Sequence, residues 1–187
     1  MRTNHLLGML MLSLFTFIFI SCDKEEEGFS KEEIQQVLFE LKGTYNGTVH
    51  VSGPNGLDLT LQNAIAVSRD SLKFKMSLQP YIELISDKIL SDRLHETGEV
   101  EVIAGYHFNQ WDDNTINFSL NPKDVNILGG FGAPPAVRLV FSKNYGGDAI
   151  VNTNFIMFNI SPTELWVDGE KYEDFPKMVY HFEGVYE

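Results

Sequence analysis

The sequence predicts a mainly β protein whose antiparallel strands close into a barrel. From residue 44 onward, apolar residues recur at every second position in short runs, which is the period of a half-buried strand. Turn-forming residues separate these runs, so we expect neighbouring strands to be joined as hairpins and to run antiparallel. The first run, at residues 44–47, and the last, at residues 182–186, contain similar residues. Pairing between them would seal the open edges of the sheet.

An amphipathic helix is predicted before the first strand. Ser30 is a good N-cap, and Glu33 three residues later completes a capping box. Phe29 can form a hydrophobic staple with the first apolar residue of the helix. The apolar residues at helical spacing are Ile34, Val37, Leu38 and Leu41. Gly43 is placed to end the helix, which we expect to plug one end of the barrel.

Three alternating runs after the helix predict a meander of antiparallel strands. They cover residues 45–51, 57–67 and 72–78. A strong turn signal, Gly-Pro-Asn-Gly at residues 53–56, separates the first run from the second. Arg69 and Asp70 mark the turn before the third.

A helical insertion is predicted after the third strand. Pro80 interrupts the alternation, and over residues 81–97 the apolar spacing lengthens to that of a helix. Gly98 is suited to stop it. The pattern fits one helix, or two short helices broken near Ser86.

Further strands are predicted in the second half of the chain. They cover residues 100–108, 116–120, 137–141, 150–160, 164–167 and 178–186. Turn signals lie at residues 112–114, at residues 145–148 (Tyr-Gly-Gly-Asp) and at residues 168–169. Residues 121–135 are the least regular part. These patterns amount to about nine strands and two helical stretches.

With its leading helix and its matching first and last strands, the predicted barrel resembles the lipocalin or calycin type. The lipocalin Gly-x-Trp signature is absent from this sequence, and Gly43-Thr44-Tyr45 matches it only in part. Many short strands at short spacing also suit a β-sandwich, which remains the alternative fold.

The N-terminal residues 1–21 have the three parts of a secretory signal. Arg2 supplies a basic n-region, and residues 6–20 form an apolar run that is short for a membrane span, which needs about 20 apolar residues. Ser21 then precedes Cys22. This ending resembles the lipobox of bacterial lipoproteins, which implies acylation of Cys22 and a lasting membrane anchor. A plain secretory signal or a short uncleaved anchor is the alternative.

An acidic flank follows the predicted anchor. It consists of Asp23, Lys24, Glu25, Glu26 and Glu27. The flank resembles the lipoprotein export signal of Bacteroidetes, which implies a lipid-anchored protein on the outer face of the outer membrane. The alternative is a solvated acidic tether with no export role, because most runs of charged residues are simply solvated segments. The predicted organisation is a signal peptide at residues 1–21, an acidic tether at residues 22–29 and a single β-rich domain at residues 30–187.

Several segments together resemble the DUF4840 lipoproteins of Bacteroides and relatives. They are the acidic leader, residues 41–47, the helical stretch after Gln79-Pro80, and residues 180–184. The resemblance covers most of residues 30–187. Because that family has no assigned function, it implies a location and no chemistry.

Charge and cysteine content narrow the range of partners. The formal net charge is −12, which argues against nucleic acid and anionic membrane surfaces as partners. Cys22 is the only cysteine, so no disulfide can form within the chain.

The sequence contains no strong catalytic or metal-binding motif. Its histidines lack a ligand spacing for a metal, and we expect neither a metal nor another cofactor. The best local cluster is His107, Asp112 and Asp113, which could meet across a turn, although a solvated acidic turn is the plainer interpretation. Trp111 and Trp166 could stack on sugar rings or pack as rim and core residues.

Two functions therefore remain open. The first is a non-catalytic cell-surface lipoprotein that binds a small ligand or a protein partner. The second is a surface hydrolase that acts on glycans or peptides through carboxylates and a histidine, His107 or His181. An apolar pocket with a few polar groups would favour binding, whereas two close carboxylates or a paired histidine would favour catalysis.

Overall fold

The computed structural model describes residues 29–112, 114–129 and 134–186. The helices are α1 Lys31–Leu41, α2 Gln79–Ile82 and α3 Lys88–Thr97. The strands are β1 Gly43–Ser52, β2 Asp58–Val67, β3 Ser71–Ser77, β4 Glu99–Asp112, β5 Thr115–Pro122, β6 Val125–Ile127, β7 Val137–Phe141, β8 Gly146–Ile150, β9 Phe155–Ile160, β10 Pro162–Val167, β11 Glu170–Lys171 and β12 Val179–Tyr186. In these described ranges no helix is both long and apolar enough to cross a membrane.

Eight strands form a closed antiparallel barrel in the order β1-β12-β9-β8-β5-β4-β3-β2. The barrel closes because β1 pairs with β2 on one side and with β12 on the other, where Tyr45 lies opposite Tyr186. The predicted pairing of the first and last strands is confirmed. The fold is a lipocalin-like barrel, and the sandwich alternative was wrong.

A second sheet of four strands, in the order β11-β10-β7-β6, was not predicted. The chain leaves the barrel twice to build it, once between β5 and β8 and once between β9 and β12. The apolar residues on one face of this sheet, such as Leu139 and Leu165, are buried in the same core as the barrel residues. The described residues therefore form twelve strands, more than the nine expected, and three α-helices, which correspond to the two predicted helical stretches with the second one broken in two.

The turn predicted at residues 145–148 was wrong, because Gly146 and Gly147 lie in β8. A Cβ on Gly146 would overlap the backbone carbonyl of Phe118, and one on Gly147 would overlap that of Met157. These glycines therefore let β8 lie close between β5 and β9. The single strand predicted over residues 150–160 is in fact two strands, joined by a 3-10 turn at Val151–Thr153.

Helix α1 covers one end of the barrel, which we call the α1 end. The predicted capping box is confirmed: the backbone N–H of Glu33 donates to the Ser30 hydroxyl, and the N–H of Ser30 donates to the Glu33 carboxylate. Leu41 faces the barrel interior and is buried. Gly43 does not end the helix with a left-handed cap; it opens β1, where the Tyr186 ring leaves no space for a Cβ.

Helices α2 and α3 and the second sheet lie at the other end, which we call the α3 end. Of the two predicted arrangements, two short helices separated near Ser86 is the one that forms. The predicted stop at Gly98 is also confirmed, since Gly98 ends α3 with a φ of 68°. Tyr81 of α2 is buried, with its ring 4.8 Å from that of Phe175. Both ends of the barrel are thus covered by elements that share its core.

Aromatic side chains fill the centre of the barrel. The ring of Phe182 lies 4.6 Å from that of Phe74 and 4.9 Å from that of Phe158. Under α1, a void beside Leu41 and Tyr106 holds only about 10 Å³, less than one water molecule occupies. The lipocalin-like shape is therefore not accompanied by a ligand chamber in this region, and a binding site has to be sought on the barrel wall.

Candidate functional site

The barrel wall opens between β2 and β3. Only three residue pairs join these strands, from Val67–Leu72 to Ile65–Phe74, although β2 pairs with β1 along its whole length. Beyond Ile65 the two strands separate, so residues 58–64 lack a strand partner on the β3 side. Unpaired strand edges are hazardous in sheet proteins. The barrel wall is therefore least complete at this place.

Asn63 reaches across this opening. It lies on the inward face of β2, between Leu61 and Ile65, and is the polar member of an otherwise apolar row. Its Nδ2 donates a hydrogen bond of 2.6 Å to the backbone carbonyl of Lys75 on β3, where a ladder bond would otherwise form. Its Oδ1 is buried and has no hydrogen-bond partner among the described residues. Leaving a buried acceptor unpaired costs about 1–3 kcal/mol.

The opening leads into a cleft of about 610 Å³, within the range of small-molecule sites. Three inward-facing apolar residues, Val49, Leu61 and Phe74, line its inner part, which we call the apolar slot, and Val49 and Phe74 are only 2% exposed there. Its outer part is a shelf with the small side chains of Ala64 and Ala66, which leave room above the sheet. The cleft therefore has an apolar slot, a flat shelf and, behind its lining, one buried acceptor without a partner among the described residues.

Charged side chains of both signs frame the cleft. Lys73, Lys75, Glu99 and Glu101 line its outer rim. Lys75 forms an ion pair with Glu99, and this hydrogen-bonded carboxylate raises the pKa of the Lys75 ammonium. Both partners are largely exposed, so the pair contributes little to stability. Because the rim carries two positive and two negative side chains, it favours neither an anionic nor a cationic ligand. The cleft as a whole suits a ligand with both polar and apolar groups.

A second, shallower groove of about 430 Å³ crosses the outer face of β5, β8 and β9. Polar side chains linked by hydrogen bonds line it: Asn109 donates to Asn117, and Asn117 donates to Asp148, each across 2.9 Å. These amides are already paired with each other. The groove lacks the apolar slot and the unpaired acceptor of the cleft.

His181 lies at the edge of this groove and is the nearest approach to a catalytic pair. Its Nδ1 is 2.8 Å from Oδ1 of Asn159, and its Nε2 is 3.1 Å from Oε1 of Glu183. Both ring nitrogens therefore face oxygen atoms of neighbouring side chains rather than a space that a substrate could enter. The imidazole is also partly exposed on the outer wall rather than enclosed in a pocket.

The residues singled out in the sequence are not brought together. His107 and Asp112 lie five positions apart on the same strand, β4, which separates them by about 16 Å. Trp111 is half-buried and packs against the core. Asp113 lies outside the described residues, as do Cys22 and the acidic flank at residues 23–27. Across the parts of the chain that the structure covers, no three His, Cys, Asp or Glu side chains are grouped to hold a metal ion.

Trp166 on β10 has one face of its ring covered and its indole N–H already paired. The guanidinium of Arg138 lies 4.8 Å from the centre of its ring, and its indole N–H donates to Glu164 across 2.9 Å. Lys171 and Trp166 hydrogen-bond Glu164 and lower the pKa of its carboxyl. This cluster orders the outer face of the second sheet.

The comparisons with other proteins identify no family. No family model matches the sequence. Neither a curated protein nor a solved structure proved similar to the chain.

Sequence reasoning missed the cleft, although one signal pointed to it. In the alternating run of β2, Leu59, Leu61, Ile65 and Val67 face inward, and Asn63 occupies the place where the pattern requires an apolar residue. A polar residue on an inward face needs a hydrogen-bonding partner and marks an irregular position in the core.

Proposed function

We propose that this protein is a lipid-anchored, non-catalytic binding protein of the bacterial cell surface, and that its ligand enters the cleft between β2 and β3. The anchor is Cys22, and the acidic flank that follows it acts as the export signal. The resemblance to the DUF4840 lipoproteins supports this location. It adds nothing about the ligand.

The proposal depends mainly on one observation: β2 and β3 separate next to Asn63, and the Oδ1 of Asn63 has no hydrogen-bond partner among the described residues. The interior beside Phe182 is filled, so a ligand needs a route through the wall rather than through an end. A largely apolar pocket with a few convergent polar groups is the usual form of a small-molecule site. The cleft is the best match to that form.

The chemistry of the cleft defines a ligand class. An apolar group would lie over Leu61 at the mouth of the slot, because Val49 and Phe74 behind it are already buried. A hydrogen-bond donor beside it would pair with Oδ1 of Asn63, once that buried atom is turned toward the cleft, and would remove the cost of the unpaired acceptor. Polar groups at the outer end would meet Lys73 and Glu101. We therefore propose a small amphipathic molecule as the ligand, in preference to a protein partner.

The hydrolase alternative has one specific observation in its favour, the hydrogen bond between His181 and Glu183. Catalysis would require Asn159 or Glu183 to release a ring nitrogen, and a nucleophile or an activated water beside it. The binding function needs no such rearrangement.

A filling substitution tests the cleft. The probe is 1-anilinonaphthalene-8-sulfonate, which combines apolar rings with an N–H donor and a sulfonate. Ala64→Phe should fill the shelf and weaken binding of the probe at least about tenfold, equivalent to ~1.4 kcal/mol. Fluorescence titration measures the affinity. Ala64 is exposed, so the fold should be retained, which a denaturation midpoint confirms.

Thr60→Phe is the matched control for this test. Thr60 is exposed on the same outward face of β2 but lies outside the cleft lining. The probe should bind this variant as it binds the wild type. Equal affinity of all three proteins would place the probe elsewhere and contradict the proposed site.

A further inference from the structure

We infer that the α1 end of the barrel rests on the surface of the bilayer, with Phe39 and Tyr186 in contact with lipid. This inference rests on the lipid anchor at Cys22 that belongs to the proposed function. It adds an orientation and a membrane-contacting surface.

The position at which the described chain begins sets the distance to the anchor. Phe29 packs at the α1 end, where its ring lies 5.9 Å from that of Phe108. Residues 23–28 join it to Cys22. At about 3.3–3.6 Å per residue, this connection spans at most about 25 Å even when fully extended. A strand of ten residues such as β1 is longer, at about 33 Å. The tether therefore holds the α1 end near the membrane.

The outward face of α1 carries an exposed aromatic side chain. Val37 is buried against the barrel, and Phe39, two residues later, points about 160° away from it on the helix. The Phe39 side chain is 85% exposed. Gln35 and Gln36 are also exposed and carry no charge. Phe39 is thus the most exposed apolar side chain of this face, and the face also carries the exposed carboxylate of Glu32, about 20° from Phe39 around the helix.

The end of β12 adds to the same surface. Val185 and Tyr186 are 46% and 44% exposed, and Tyr186 packs over Gly43, where α1 joins β1. Of the five large apolar side chains that are exposed in the described residues, three lie at the α1 end. Tyrosine is suited to the membrane interface because its apolar ring and polar hydroxyl meet both phases, and the phenyl ring of Phe39 supplies apolar area alone.

Electrostatic attraction does not drive this contact. The flank at residues 23–27 is acidic, and α1 itself contains Glu32, Glu33 and Glu40. An anionic lipid surface would repel these groups. The surface therefore fits a bilayer with neutral headgroups, and the contact should be insensitive to salt. The cleft between β2 and β3 opens through the side wall of the barrel, so it stays accessible from solution in this orientation.

The lone cysteine makes a direct test possible. In the lipidated protein the Cys22 sulfur is acylated, so a second cysteine is the only free thiol. Gln35→Cys places a bimane label on the outward face of α1 and keeps Phe39. Leu128→Cys places the same label at the α3 end, where Leu128 is 80% exposed. Both proteins are reconstituted into phosphatidylcholine vesicles with and without brominated acyl chains.

Brominated lipid should quench the label at position 35 at least twofold more strongly than the label at position 128. Aqueous iodide should show the reverse order. Adding Phe39→Ser to Gln35→Cys should reduce the quenching by lipid, because the apolar contact is lost. Equal quenching at positions 35 and 128 in protein that floats with the vesicles would overturn the orientation and leave the anchor standing. If Cys22→Ala floats as well as the wild type, the anchor itself fails, and the orientation fails with it.

Discussion

Phe182→Ala is expected to destabilise the protein by about 3–5 kcal/mol, the usual cost of truncating a large buried aromatic side chain. Phe182 is fully buried, and its ring contacts those of Phe74 and Phe158 at the centre of the barrel. A domain of this size has about 5–15 kcal/mol of stability in total. The variant should therefore unfold at a much lower urea concentration, with an unchanged slope if the unfolding remains two-state.

His181→Ala is the matched control, because the adjacent residue of β12 points outward. The imidazole loses hydrogen bonds to Asn159 and Glu183 that are partly exposed. Such a surface change should alter the free energy of unfolding by about 0.5 kcal/mol or less. A silent Phe182→Ala together with a damaging His181→Ala would mean that β12 presents its other face to the core. The hydrolase alternative would then gain weight.

Alkaline unfolding is the second large effect that we expect. Burial raises the pKa of Tyr45 and of Tyr106 to about 12, with smaller contributions from Tyr186 and Asp70. Burial also raises the pKa of Tyr81 and Tyr180 above the ordinary value. Three of these phenols, those of Tyr45, Tyr106 and Tyr180, donate their O–H to a backbone carbonyl, so ionisation would also break a hydrogen bond.

The direction of this pH dependence follows from the raised pKa values. Below pH 10 the phenols are protonated in both folded and unfolded chains, and their contribution to stability is fully present. Between pH 10 and 12 the unfolded chain releases protons that the folded chain retains, so stability falls by about 1.4 kcal/mol per pH unit for each such phenol.

Absorbance at 295 nm and far-UV circular dichroism measure this transition together. We expect tyrosinate to appear in a cooperative step that coincides with loss of β structure between pH 10 and 12. The chain unfolded in guanidinium serves as the control and should titrate smoothly near pH 10. Smooth titration of all seven tyrosines of the native protein near pH 10, with its β structure intact, would contradict the full or partial burial of these four side chains.

The features that sequence patterns predicted are those set by local spacing. The capping box of Ser30 and Glu33 joins groups three residues apart, and it forms as expected. The inward set of β12, including Tyr180 and Phe182, follows from a strict period of two. Closure of the barrel was predicted from the similar residues of the first and last strands. Pairing these strands removes the two unpaired edges that an open sheet would expose.

The features that the patterns missed depend on contacts between distant segments. Gly146 and Gly147 have the composition of a hairpin turn, but the backbones of β5 and β9 on either side require them in a strand. The second sheet is built from two segments, residues 125–141 and 162–171. The spacing of apolar residues predicts strands, but it does not indicate that these segments leave the barrel and pair with each other. The cleft arises where β2 and β3 part, and only Asn63 signals it in the sequence.

Chemical shift mapping of a fragment screen tests the central claim most directly. The amide spectrum of the isotopically labelled protein is recorded with mixtures of small amphipathic fragments. We expect the largest shifts at Gly47, at Lys75 and at both the backbone and side-chain amides of Asn63, and we expect them to vanish in Ala64→Phe. Shifts centred on Asn117 and Asp148 in the polar groove, or shifts that persist in Ala64→Phe, would contradict the assignment of the cleft as the binding site.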